Sequence, residues 1–124
     1  MTCKITSIQK PTYAHFIVEG ENTLENTMYY VQEIYRECTT KHYTRILIEE
    51  HFKGKRLGTI DIFDIVSRTS QDLFGFFKDI AYVSVTSTKQ SMKFIENVAI
   101  NRSLPVHIFE TVKEAEEWLT SKEE

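Results

Sequence analysis

The apolar positions of this chain change period as the chain proceeds, and the changes divide it into elements. Cys3 to Gln9 and Tyr13 to Glu19 are short β-prone runs on either side of Lys10-Pro11-Thr12. Proline there fixes φ at a value suited to a turn, so the pattern predicts an opening antiparallel hairpin. Gly20-Glu21-Asn22 ends it, and from about Thr23 the apolar residues Leu24, Met28, Val31, Tyr35 and Cys38 recur at steps of four and three, which predicts an amphipathic helix. Glu21 and Glu25 near its start, and Lys41 and His42 just beyond its end, suit the helix dipole. Arg45 to Glu49 reads as a strand. Thr59 then offers an N-cap oxygen, with Asp61 in the first turn, to a helix carrying Ile62, Phe63, Val66, Leu73, Phe74 and Phe77. Ser67-Arg68-Thr69-Ser70 is poor helix material, so a bend or break is expected there. Asp79 to Val85 is a further strand, Met92, Ile95, Val98 and Ala99 mark another helix, and Pro105 to Phe109 forms the last strand. Thr111 and Glu114 make a capping box ahead of Val112, Ala115, Trp118 and Leu119.

The resulting order, ββαβαβαβα, demands right-handed crossovers and a mostly parallel five-stranded sheet extended by the hairpin. Strands of a parallel sheet covered on both faces normally read as continuous apolar runs. Here Arg45, Leu47 and Glu49 oppose Ile46 and Ile48, Tyr82 and Ser84 oppose Ala81, Val83 and Val85, and His15, Glu19 and His107 alternate with apolar neighbours. One sheet face is therefore expected to be wetter, with the helices mainly on the other. A length of 124 residues suits one domain spanning 1–124.

Composition narrows the class without naming a function. Hydrophobic residues at 41% and charged residues at 27% describe an ordinary soluble globular chain. No apolar run could cross a bilayer, and the opening MTCKITSIQK has no signal-peptide core, which leads to the expectation of a cytoplasmic protein. A net charge of −3 without a basic stripe argues against nucleic acid as partner. Cys3 and Cys38 are too far apart in sequence for a ligand-spacing motif and read as two reduced thiols.

The segments RILIEE, LGTIDIFDIV, DIAYVSV, FIENVAINRSLPVHIF and EAEEWL, which together cover most of Arg45 to Leu119, resemble a SpoIIAA-like domain of the STAS/CRAL-TRIO-type superfamily, the bacterial group related to anti-sigma-factor antagonists. The resemblance implies a right-handed βα superhelix and a non-enzymatic regulatory or protein-binding module. Anti-sigma-factor antagonists bind a kinase partner and are switched by phosphorylation of a serine at a strand-to-helix junction. The family's Asp-Ser-Ser-Gly type of motif is replaced here by the loop HFKGKRLG, with Thr59 at a comparable junction. The related CRAL-TRIO lobes bind lipid with helices additional to those expected in this chain; the alternative to a protein-binding module is a small-ligand domain, for lipid as the resemblance implies or for an anion as the loop residues suggest.

Three groups of residues are candidates for chemistry. In open α/β sheets, ligands meet the protein where strand carboxyl ends give way to helix starts, and Lys53, Gly54, Lys55, Arg56, Gly58 and Thr59 occupy such a junction. Their cations and backbone N–H groups would suit an anion or a phosphorylated ligand, although the spacing is not that of a phosphate-binding P-loop. Phe74, Phe76 and Phe77 are too close together for one helical stripe and are candidates for a surface facing a protein partner or a second copy. Glu49, Glu50, His51, Asp61 and Asp64 could converge at one sheet edge, but consecutive strand residues point to opposite faces, so Glu49 and Glu50 are not expected to serve one metal. His15, His42 and His107 read as structural or solvent-facing. The sequence assigns no catalytic residue, no metal and no cofactor.

Overall fold

A computed structural model describes residues 3–54, 64, 76–85, 89–101 and 105–121. Its elements run β1 (Cys3–Gln9), β2 (Ala14–Glu21), α1 (Leu24–Lys41), β3 (Arg45–Lys53), β4 (Asp79–Ser84), α2 (Lys89–Asn101), β5 (Val106–Phe109) and α3 (Val112–Ser121). The sheet has the order β1-β2-β3-β4-β5, with β1 antiparallel to β2 and every later pair parallel. In this order each parallel connection steps to the neighbouring strand. The helix expected after Thr59, and its expected break, lie outside the described residues. Among the described residues no helix is long and apolar enough to cross a membrane.

Two of the described helices, α1 and α2, share one sheet face. There Phe16, Val18, Ile46, Ile48, Phe52 and Ile80 are buried beneath Tyr30, Ile34 and Cys38 of α1 and Ala99 of α2. On the opposite face, among the described helices, α3 covers Leu47, Ala81 and Val83 through Ala115 and Leu119. The predicted concentration of helices on one face holds, and the opposite face is left with His15, Glu49, His51 and His107 around the edge of α3's cover. The polar residues of β4 are assigned differently by register, because Tyr82 pairs with Ile48 and Ser84 with Glu50. They therefore belong to the helix-covered face, where Tyr82 has polar partners in Glu50 and Ser84.

Local chemistry accounts for the element ends. Thr23 Oγ1 accepts the Asn26 N–H at 3.1 Å and caps α1, and His42 closes it in the left-handed region at φ 64. The buried stripe of α1 is Asn26, Thr27, Tyr30, Ile34 and Cys38 rather than the one led by Leu24 and Met28. Its phase is set by Tyr30, whose hydroxyl reaches a carboxyl on β3, while Tyr35 is left on the flank against Phe76 and Phe77. Thr111 Oγ1 accepts the Glu114 N–H at 3.1 Å and caps α3 as the motif predicts. Arg45 ties the two layers together, bonding Asp79 at 3.1 Å and donating to the Leu119 carbonyl near the end of α3.

Candidate functional site

The carboxyl ends of β3, β4 and β5 lie side by side, and the chemistry of the described residues is concentrated there. Glu49 and Glu50 leave β3 in opposite directions and enter different environments. Glu50 turns under α1 and is buried. Tyr30 donates to its Oε2 at 2.7 Å, and Tyr82, one strand over, is a second hydroxyl donor. Burial pushes the Glu50 carboxyl above its ordinary value, and the two tyrosine hydrogen bonds oppose that shift without cancelling it. Both phenols are pushed far up by burial and by the adjacent carboxylate, so they remain donors.

Glu49 faces the side covered by α3 and lies between two imidazoles. His15 on β2 meets Oε1 at 2.9 Å and His51, two residues further along β3, meets Oε2 at 2.5 Å, each through Nε2. An ionised carboxylate only accepts, so each ring carries its proton on the nitrogen facing Glu49. Partial burial works against ionisation here, but the two hydrogen bonds and the histidine charges outweigh it and hold this carboxyl below its ordinary value. Neighbouring carboxyls on one strand are thus shifted in opposite directions, one by burial among phenols and the other by paired imidazoles.

Glu49 and His51 form one wall of a cleft of about 390 Å³ at this sheet edge. Val83, Ser84 and Val85 supply its floor from the end of β4, and Met92 of α2 lines another side. Glu110, Thr111 and Val112 close it at the start of α3. The walls are largely aliphatic, the ionisable groups are two carboxylates and an imidazole, and Val85 is 57% exposed at the mouth. Among the described residues no group of His, Cys, Asp or Glu is placed to hold a metal ion. In the Glu49 cluster the carboxylate separates the two rings instead of all three groups converging on one point.

The residues singled out from the sequence are distributed unevenly. Lys53 and Gly54 end β3 in exposed positions, and Gly54 adopts φ +105, a conformation that L side chains rarely take. Lys55, Arg56, Gly58, Thr59, Asp61 and Phe74 lie outside the described residues. Phe77 is buried in the core and Phe76 is half-buried beside it, their rings 5.3 Å apart edge to face and both against Tyr35. Phe77 is therefore turned mainly into the core. His107 packs against Trp118, with ring centroids 4.7 Å apart and planes tilted at 45°. His15, expected to be structural or solvent-facing, is buried and belongs to the Glu49 cluster. The signal for it was the strand parity, since the register aligns His15 with Leu47 and so puts it on the Glu49 face. No sequence signal placed Glu110 or Met92 at the cleft, because a loop and a helix from distant parts of the chain bring them there.

No protein-family model matches the chain, and no curated protein matches it either. Among solved structures, the chain is similar to an uncharacterized protein of the DUF3478 family with a SpoIIAA-like fold from Shewanella loihica PV-4. The TM-score is 0.57 at 16% identity, over 94% of this chain and 93% of that one. At that identity the likeness concerns architecture, and the architecture agrees with the resemblance drawn from RILIEE, DIAYVSV and their companions: the chain has a SpoIIAA-like α/β fold.

Proposed function

We propose that this protein is a non-enzymatic regulatory or protein-binding module that engages its partner at the carboxyl edge of the sheet. The observation that carries this reading is the cleft beside Glu49, where the aliphatic surface of Val83, Val85, Met92 and Val112 is set beside the Glu110 carboxylate. An aliphatic trough with an anionic end complements a lysine or arginine side chain, whose stem is apolar and whose head is cationic. The nearby acid-base groups are engaged with one another, as both oxygens of Glu49 accept from imidazoles. Both thiols are pushed up by burial, Cys38 to about 12, and so stay protonated rather than nucleophilic. These features support binding over catalysis.

The test is an NMR titration of the full chain with short lysine-containing peptides and matched glutamate-containing controls. Amide shifts at Val83 to Val85 and Glu110 to Val112 with the lysine set alone, lost in Glu110→Lys, support the reading. Equal shifts with the glutamate set, or none at this edge with either, refute it.

A further inference from the structure

The two edges of the sheet are finished differently. At the β5 edge the strand spans only Val106–Phe109, Pro105 precedes it, and the Ile108 N–H is taken at 2.9 Å by the Glu96 carboxylate of α2. These are the devices that keep an edge from pairing. The β1 edge has none of them. Cys3–Gln9 contains no proline, its register against β2 is unbroken by a bulge, and Lys4 is its only charge. Thr6 to Gln9 are exposed, and among the described residues no strand lies outside β1.

The hairpin turn fixes which backbone groups face outward. Lys10 N–H bonds to the Tyr13 carbonyl, so Lys10 and Tyr13 form a hydrogen-bonded pair. Hydrogen-bonded pairs alternate along an antiparallel ladder. Lys4, Thr6 and Ile8 therefore direct their N–H and C=O toward β2, and Cys3, Ile5, Ser7 and Gln9 direct theirs outward. We propose that this edge pairs with the β1 edge of a second copy, antiparallel about a two-fold axis at Thr6, to form one continuous sheet across two chains.

The register is self-complementary. It sets Ile5 of one copy opposite Ser7 of the other and Cys3 opposite Gln9, each with outward N–H and C=O groups, and Lys4 opposite Ile8, so that no like charges meet. Ile8, at 37% exposure, gains cover. On the α1 side a groove of about 470 Å³ runs beside β1, floored by Ile5 and Ile34 and flanked by Tyr29, itself 37% exposed. Its rim carries Glu33 and Arg36, paired with each other at 2.9 Å. Ser7 donates to Glu37, and Cys3 lies beside the Asn26 carbonyl, so Thr6 is level with the helical turn between these residues, the turn that carries Glu33. A two-fold axis there brings the oppositely charged stripe of one α1 to the same stripe of the other in reverse order, where Glu33 faces Arg36. This closed pairing is isologous and satisfies an edge that would otherwise propagate.

The test is sedimentation equilibrium of the full chain from low to high micromolar concentration, with the variants Thr6→Glu and Thr6→Lys. Thr6 is exposed, so both variants are expected to keep the monomer's circular dichroism. The expected result is an apparent mass that doubles with concentration for the parent. Each variant alone stays monomeric, because like charges then meet at the axis, and an equimolar mixture of the two recovers the doubled mass. Ser7→Pro, which deletes an outward N–H and leaves the ladder to β2 intact, is expected to be monomeric. A parent that stays monomeric throughout, single variants that associate as the parent does, or a mixture that fails to recover overturns the proposal.

Discussion

Removing the hydroxyl of Tyr30 tests whether Glu50 is a buried carboxyl sustained by phenol donors. In Tyr30→Phe the ring stays, with its edge contact to Phe52 at 5.5 Å, and the hydroxyl is lost together with its 2.7 Å hydrogen bond to Glu50 and its hydrogen bond with the Tyr82 hydroxyl. A hydrogen bond to a charged group contributes about 1.5–3 kcal/mol, and Tyr82 remains as a second donor, so a loss of about 1.5–2 kcal/mol is expected at pH 8. In a chain of this length that is about 5–8 °C in Tm. The sign with pH follows from linkage. The folded carboxyl sits above its ordinary value, so the native state holds the proton more tightly, and stability falls as pH rises through the window from the ordinary to the folded value. The Tyr30 bond lowers that folded value, so its removal widens the window and costs more at alkaline than at acid pH. Urea unfolding followed by circular dichroism at pH 4, 6 and 8 measures this directly. A loss below about 0.5 kcal/mol at pH 8, or an equal loss at pH 4 and pH 8, would refute the buried-carboxyl reasoning.

The adjacent carboxyl is expected to behave in the opposite sense. Glu49 is held below its ordinary value, so its contribution is present above that value and is lost as pH falls through the folded one. Glu49→Gln should cost about 1–2 kcal/mol at neutral pH and flatten the acid limb of the stability curve, as read by urea midpoints from pH 3 to pH 7. His42 ends α1 at φ 64 without being glycine, so His42→Gly should raise stability by about 0.5–1 kcal/mol; an unchanged or lower urea midpoint would show that the imidazole compensates. Leu119 of α3 is fully buried against the sheet, and Leu119→Ala should cost about 2–5 kcal/mol; a loss under 1 kcal/mol would mean that α3 is dispensable to the core.

How far the sequence could be read depended on the range of the interaction involved. The hairpin, the capping box at Thr111 and Glu114 and the alternation of Arg45, Leu47 and Glu49 are local patterns, and each marked its element well. The burial phase of α1 was not legible, because Tyr30 is inward for the sake of a carboxyl on another element, while Val31 and Tyr35 look equally apolar on the page. The same holds for Tyr82 and Ser84, whose alternation suggested a wet face until the register put them on the helix-covered face, where Tyr82 bonds both Glu50 and Ser84. The separation of Glu49 from Glu50 followed from strand geometry alone. The union of Glu49 with His15 required knowing that β2 lies beside β3. The cleft was the least visible feature, since Val83, Met92 and Glu110 come from three elements and no local spacing joins them.

The most direct test of the central claim places a photo-reactive amino acid at Val85, at the mouth of the cleft, and in a separate chain at Thr12, in the turn at the opposite end of the sheet. Both proteins are irradiated in the cells that express them, with and without Glu110→Lys. The account predicts a discrete protein adduct at Val85 that disappears with Glu110→Lys and is not seen from Thr12. Equal adducts from both positions, or a Val85 adduct indifferent to the charge at position 110, would contradict recognition at the carboxyl edge of the sheet.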